Sequence, residues 1–278
     1  MLFRSSKRYL SPFESRAGFF ASTRDECLSP RVRLERNPEI PVAPGEEHWL
    51  LDTSKRVYAT EDPNVVIVSY KDDATAFDGL KKGIIEGKGA VNNRMTNYFM
   101  KKLAERGIPT HYVQELNDRE TAVKKVRIVP LEVIIRNLSA GHFASRYGVE
   151  EGLVFDEPIV EFSYKNDDLH DPLLNDDHAV ALKLATREEI AQIRTYALHV
   201  NEVLKALLSD AGVILVDFKL EFGKTADGTL VLADEISPDT CRFWDSKTGE
   251  KLDKDRFRRD LGGVEDAYLE MQRRILES

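Results

Sequence analysis

Asp217, Lys219 and Glu221 stand two residues apart in the segment 213–222, which reads Val-Ile-Leu-Val-Asp-Phe-Lys-Leu-Glu-Phe. Successive side chains of a strand point to opposite faces. The three charged groups therefore share one face, and Val216, Phe218, Leu220 and Phe222 share the other. Asp227-Gly228 is a two-residue hairpin signal. It predicts that residue 226 pairs with 229, and so that Glu221 lies opposite Asp234, with Cβ atoms about 4.5–5.5 Å apart. Like charges directly opposite one another are destabilising, and a cation between them removes the penalty. Hard oxygen donors at this spacing suit Mg²⁺, which takes one or two carboxylates and completes its shell with water and substrate phosphates. A half-exposed strand with a solvated charged face alternates in the same way, so on these residues alone both readings stand.

Other polar groups add to this set. Arg136-Asn-Leu-Ser-Ala-Gly141 follows a β-branched run. An arginine at a strand end, followed by Ser and Gly, can grip a phosphate through its fork and through backbone N–H groups; the alternative is an ordinary surface arginine. Lys165-Asn-Asp-Asp-Leu-His-Asp-Pro172 is a polar loop, in which His170 is either a proton carrier or a structural hydrogen-bonding residue; the structural role is favoured because nothing in the sequence supplies an acid–base partner. Lys124-Lys125 precede Val129-Pro-Leu-Glu132, read by itself as a basic strand with an edge proline. The glycines of 72–79 and 87–93 suggest mobile loops near a site. No Walker A or GxGxxG pattern occurs.

The elements that must position these groups are partly legible. Residues 1–48 lack periodicity, are punctuated by Pro30, Pro38, Pro41, Pro44 and Gly45, and read as an irregular arm. Short strands are predicted at Val57-Tyr58 and Val65–Val68 around an Asp62-Pro63-Asn64 turn, and further strands over 110–116, 121–126 and 129–136. Met95, Phe99 and Leu103 predict a helix over 92–106, closed by Gly107 and Pro109. Thr186-x-x-Glu189 is a capping box. It opens a helix whose stripe is Ile190, Ile193, Ala197, Val200, Leu204 and Leu207, with Gly212 beyond its end. A hairpin over 213–236 and a last helix over 253–276 follow. Strands first and a mixed second half predict an α+β fold, two lobes around a cleft.

Composition bounds the function. Of 278 residues, 42% are hydrophobic and 32% charged, a balance that excludes wholesale disorder. A net charge of −8 argues against a general nucleic-acid binder but leaves room for basic pockets. Two cysteines, Cys27 and Cys241, lack metal or disulfide spacing and fit a reducing cytosol. No apolar run reaches the roughly 20 residues that cross a bilayer. The N-terminal 20 residues are not a secretory signal; their Ser, Arg and aromatic content is weakly similar to a transit peptide.

Longer blocks carry a resemblance. Val216-Asp-Phe-Lys-Leu-Glu-Phe-Gly223, Asp234-Glu-Ile-Ser-Pro-Asp239, Arg242-Phe-Trp-Asp245 and Asp253-Lys-Asp-Arg-Phe-Arg258 resemble the SAICAR synthetase family of the bacterial type, over about residues 50–276. The resemblance implies an α+β, two-lobed fold with an ATP cleft similar to those of protein kinases and ATP-grasp enzymes. It divides the chain into an extension at 1–48, a β-rich nucleotide lobe at 49–127 and a second α+β lobe at 128–278 with the metal and substrate site. The implied reaction joins carboxyaminoimidazole ribotide to L-aspartate and turns ATP into ADP and phosphate, in the cytoplasm, with no nucleic-acid or membrane partner; a homo-oligomer is left open. By the same resemblance Glu221 and Asp234 hold Mg²⁺ and ATP, Lys55 the triphosphate, and Lys124 and Glu132 the adenine side. Lys165 stands near the transferred phosphoryl group with Asp171 in support. Asp217 and Lys219 face the imidazole, and Arg136, His142 and Arg242 take the ribotide. Two positions depart from the family pattern: His142 replaces a serine, and Asp52-Thr53 replace the Gly-Lys of a phosphate-covering strand. Another Mg-ATP ligase or small-molecule kinase would share the hairpin without the ribotide-facing arginines, and a nucleotide-sensing relative would account for Asp52 and Thr53; ADP release with and without both co-substrates separates the three.

Overall fold

The computed structural model describes residues 54–76 and 79–277. The expected arm at 1–48, and Asp52 and Thr53, lie outside the described residues. Strands β1 (Lys55–Ala59), β2 (Val65–Tyr70), β5 (Tyr112–Asn117) and β6 (Glu120–Lys124) form an antiparallel sheet in the order β1-β2-β6-β5. Asp62 closes the first turn by accepting from the backbone N–H of Asn64 and Val65. Between β2 and β5 come the hairpin β3 (Asp73–Ala76)–β4 (Lys81–Ile84) and the helix α1 (Lys88–Glu105).

Helix α1 starts four residues earlier than the apolar spacing predicts. Gly87, at φ 80°, turns the chain into it, and the Asp72 carboxylate accepts from the N–H groups of Gly87 and Gly89. Those N–H groups have no intrahelical partner, and an acidic side chain at a helix N-terminus also meets the favourable end of its dipole. Arg119 pairs with both oxygens of Asp72, so the glycine-rich stretch is a pinned helix start. Gly89 is required there: a Cβ would come within 2.6 Å of the Tyr70 carbonyl oxygen.

The chain crosses at Lys125-Val126 into the six-stranded antiparallel sheet. Its members are β7 (Arg127–Leu138), β8 (Val154–Tyr164), β9 (Leu173–Leu174), β10 (Val213–Lys224), β11 (Leu230–Ala233) and β12 (Cys241–Asp245). The spine β11-β10-β7-β8-β9 has β12 beside the first half of β10. Helix α2 (Gly141–Tyr147) follows β7, α3 (Asp176–Ala181) follows β9, and α4 (Arg187–Asp210) lies against β10. The capping box of α4 is formed in both directions between Thr186 and Glu189, and Gly212, at φ 69°, follows its end. The expected last helix is two pieces, α5 (Asp255–Arg258) and α6 (Val264–Leu276), because Gly262 and Gly263 both adopt positive φ.

One core joins these layers. Met95, Phe99 and Leu103 of α1, Ile193, Ala197 and Leu204 of α4, Phe218, Leu220 and Phe222 of β10, and Met271 of α6 are buried together. The backbone of Leu232 in β11 also donates to Pro109 and accepts from His111, which stitches the large sheet to the approach of β5.

Candidate active site

Strand β10 carries the charged face, and two irregularities set its aim. A bulge lies between Leu215 and Asp217. It lets Val213 and Leu215 join the same core as Phe218, Leu220 and Phe222, while Val216 is buried outside that cluster. Strict alternation would have put Val213 and Leu215 with the charges; an extra residue in one strand reverses the phase. The turn after β10 also differs from expectation. Thr225 and Thr229 close it by a backbone bond, with Gly228 at φ 84°, a three-residue loop with glycine in the left-handed position. Glu221 consequently pairs with Ala233, not Asp234. Asp234 comes one residue later, in a left-handed conformation at φ 59°.

The like charge directly opposite Glu221 is Glu132 of β7. Lys219 lies between them, its Nζ 2.9 Å from an oxygen of each, and Lys165 reaches Glu221 at 2.8 Å. The carboxylates apposed across the ladder are Glu132 and Glu221, and Lys219 bridges them. Burial raises the Glu221 carboxyl pKa, but Lys219 and Lys165 outweigh it and hold it down at about 2. Burial likewise opposes the Lys219 charge, yet Glu221, Glu132 and Asp234 keep its ammonium well above the usual lysine range. Lys55, which opens β1, pairs with Asp234 and lies 2.7 Å from Glu235.

A second group stands farther along β10. Asp217 is opposite Arg136 of β7 on one side and Arg242 of β12 on the other. Its carboxylate accepts from Arg136 at 2.6 Å and from Arg242 at 2.9 and 3.0 Å. Glu161 of β8 holds Arg136 at 2.7 Å, and Asp255 holds Arg242 at 2.9 Å and Arg258 at 2.6 Å. Asp217 is 3% exposed, with both oxygens bonded to guanidinium groups. It lines the cleft and at the same time holds the two arginines. Gly141, at φ 51°, sits so close to the Arg242 guanidinium that a Cβ would collide with it. His142 follows, exposed.

These groups open onto one cleft of about 1790 Å³ between the two sheets. Lys55, Lys124, Glu132, Arg136, His142, Lys165, Asp217, Lys219, Glu221, Asp234 and Arg242 all line it. Its apolar walls include Val57, Val66, Val123, Val126 and Ala233. The 165–171 loop is closed by Asp171, whose carboxylate accepts from the Asn166 N–H at 2.7 Å; His170 and Asp171 both have positive φ. Glu161, Asp239, Asp255 and His111 belong to the same surroundings and were not singled out in the sequence. Glu161 lies in β8, which no pattern announced. Asp239 and Asp255 stand inside the quoted blocks, without an assigned part. His111 is 7% exposed at the cleft wall, where burial, aided by Lys55 and Lys124, holds its imidazole pKa down at about 3.

The sequence profile of SAICAR synthetase matches residues 53–275. The chain belongs to the SAICAR synthetase family. A phosphoribosylaminoimidazole-succinocarboxamide synthase of Lachnoclostridium phytofermentans is 63% identical over 222 residues, which is 80% of this chain and 94% of that protein. The crystal structure of the synthase from Ehrlichia chaffeensis superposes with a TM-score of 0.79 at 46% identity, over 80% of this chain and 95% of that one. A SAICAR synthetase in complex with ADP superposes with a TM-score of 0.79 at 49% identity, over 81% and 96%. Membership makes the chain an ADP-forming carbon–nitrogen ligase of purine biosynthesis. Among the described residues no helix is long and apolar enough to cross a membrane.

Proposed function

We propose that the cleft joins carboxyaminoimidazole ribotide to L-aspartate at the expense of ATP, in the cytosol, with residues 49–127 forming the nucleotide lobe. The observation that carries the reading is the arrangement along one strand face. Lysines and carboxylates cluster at one end of β10 around Lys219, and arginines fixed by Asp217 stand at the other. The first end suits a triphosphate and the second a phosphorylated sugar, because guanidinium forks match phosphate.

In this reading a ribotide carboxylate oxygen attacks the γ-phosphorus of ATP, the bond to ADP breaks, and an acyl phosphate forms. The amine of aspartate then attacks the acyl carbon, phosphate leaves, and the amine gives up a proton as the amide forms. Lys219 and Lys165, held charged by Glu221, stabilise the transferring phosphoryl oxygens, and Lys55 steadies the triphosphate; catalysis is mostly positioning and electrostatics. Arg136 and Arg242, with His142 at the mouth, hold the ribotide. Asp217, Glu161 and Asp255 keep the two guanidinium groups aimed, so Asp217 acts as a positioning residue.

The donors fit Mg²⁺. Glu221 and Asp234 are hard oxygen donors paired with Lys165, Lys219 and Lys55, and Mg²⁺ binds through one or two carboxylates and phosphate oxygens. Glu221 and Asp234 would hold the ion, which would neutralise charge on the nucleotide phosphates. Glu221→Gln keeps the side-chain shape and removes the charge. Titration with Mg-ATP should show affinity reduced at least about tenfold, as for loss of a charged contact; unchanged affinity contradicts the assignment.

A further inference from the structure

Behind the arginines of the cleft, two asparagines meet in an otherwise apolar layer between β7 and α4. Arg136 lines the cleft. The next residue, Asn137, reaches α4 instead, where its Nδ2 donates to Asn201 Oδ1 at 2.8 Å and Asn201 Nδ2 donates back to Asn137 Oδ1 at 3.0 Å. Asn201 stands beside Ala197, Val200 and Leu204 on the buried stripe of α4. Asn137 is 6% and Asn201 3% exposed, and neither lines the cleft. A pair of apolar side chains of similar shape would fill this layer with no hydrogen bonds to satisfy, so the two amides call for a reason other than packing.

Two register slips that coincide supply that reason. The pairing of β10 with β12 slips between Leu215 and Asp217, and the pairing of β7 with β8 slips between Arg136 and Leu138. Asn137 is the residue at the second slip. Next to both slips stands the pair Asp217–Arg136, where the register between β10 and β7 ends. Leu215 lies outside that register, and its carbonyl accepts from Asn137 Nδ2 at 3.1 Å. A bulge disrupts the ladder locally, and a buried carbonyl left without a donor is costly. One side-chain amide therefore joins the slip in β7 to the slip in β10, and Asn201 fixes the rotation of that amide. The residue that follows the β10 slip is Asp217, the carboxylate that holds Arg136 at 2.6 Å and Arg242 at 2.9 and 3.0 Å.

We propose that Asn137 and Asn201 are positioning residues for the phosphorylated substrate: their amide pair fixes the two slips and, through Asp217, the aim of Arg136 and Arg242. This rests on the ribotide reading above. Asn137→Leu should raise the KM for ribotide about fivefold, the size of one lost neutral hydrogen bond, with the KM for ATP within about twofold of the wild type. The double variant Asn137→Leu/Asn201→Leu separates positioning from packing. It removes both polar partners together, so its urea midpoint should lie nearer the wild type than that of Asn137→Leu or Asn201→Leu alone, while its KM for ribotide stays raised. A double variant that regains both midpoint and KM would reduce the pair to packing and overturn the proposal. Arg136→Gln serves as the control for the underlying reading. A raised KM for ribotide in Arg136→Gln with an unmoved KM in Asn137→Leu sinks the positioning role alone; an unmoved KM in both sinks the ribotide reading as well. The wild type gives a measurement that does not depend on how the variants fold. In ¹⁵N-labelled protein, carboxyaminoimidazole ribotide should shift the side-chain amide NMR signals of Asn137 and Asn201, although neither lines the cleft, and Mg-ATP should leave them in place. Signals that do not respond to the ribotide contradict the proposal.

Discussion

Removing the Lys219 charge should act on both stability and catalysis. Lys219→Met leaves Glu132 and Glu221 apposed across the ladder without a bridging cation. Breaking a buried charge pair of this sort costs about 3 kcal/mol, readable in urea unfolding. Turnover should fall by at least about a hundredfold if the ammonium also stabilises the transferring phosphoryl group. Normal turnover in a destabilised variant would confine Lys219 to a structural part. Acid should separate two other groups. Glu221 is held at about 2 against an ordinary 4.5; its contribution is present above about 4.5 and is lost as pH falls toward about 2. His111 is depressed from 6.5 to about 3. The unfolded chain takes up a proton there that the folded one refuses, so stability falls as pH drops from 6.5 toward 3, by at most about 1.4 kcal/mol per pH unit. His111→Gln should flatten that part of the stability–pH curve, and an unchanged slope would place the acid sensitivity elsewhere. The charge types at the site were legible because β10 spaces them by two. Their partners were not: Arg136 is 81 residues from Asp217, and nothing local to either residue says that they meet.

Helix α4 shows an element whose ends and face are written locally. Its capping box, terminal glycine and apolar stripe from Ile190 to Leu204 fall where the spacing predicts, with Leu208 rather than Leu207 fully buried at the end, and Thr186→Ala should cost about 1 kcal/mol, seen as a lower urea midpoint with activity retained. Strand β10 is the opposite case. Alternation identified its charged face, but the bulge at Val216 changed which apolar residues join the core, and the three-residue turn shifted the pairing with β11 by one; a one-residue slip changes every partner. Asp-Gly signals a tight turn without deciding between a two- and a three-residue loop. The tertiary pairing of Glu221 with Ala233 made that decision. Gly141 offers a direct test of how closely an element end is tied to the site. Gly141→Ala introduces a Cβ into the Arg242 guanidinium at a positive φ, so the KM for the ribotide should rise several-fold while Mg-ATP affinity stays. A loss of both would mean that the substitution unfolds the region and does not merely move Arg242.

At the scale of the molecule, the matched relatives account for 94% of their own length with 80% of this chain, and the family match begins at residue 53. The family's activity therefore needs no counterpart of the first forty residues. A chain lacking 1–40 should keep its thermal midpoint within about 2 °C, below the shift that 1 kcal/mol produces in a domain of this size, and keep its turnover. Loss of ATP binding on truncation would instead assign the arm to the triphosphate, beside Lys55. The α+β class was readable from element order. The cleft depends on how the sheets are stitched at Leu232 and crossed at Lys125-Val126, contacts between distant segments that no periodicity records. The most direct test of the whole account is ADP release by the full chain with Mg-ATP, measured with ribotide and aspartate together, with each alone and with neither. Sustained release only when both are present, matched one for one by SAICAR, is the predicted result; ATP turnover indifferent to either co-substrate, or none with all three, would contradict it.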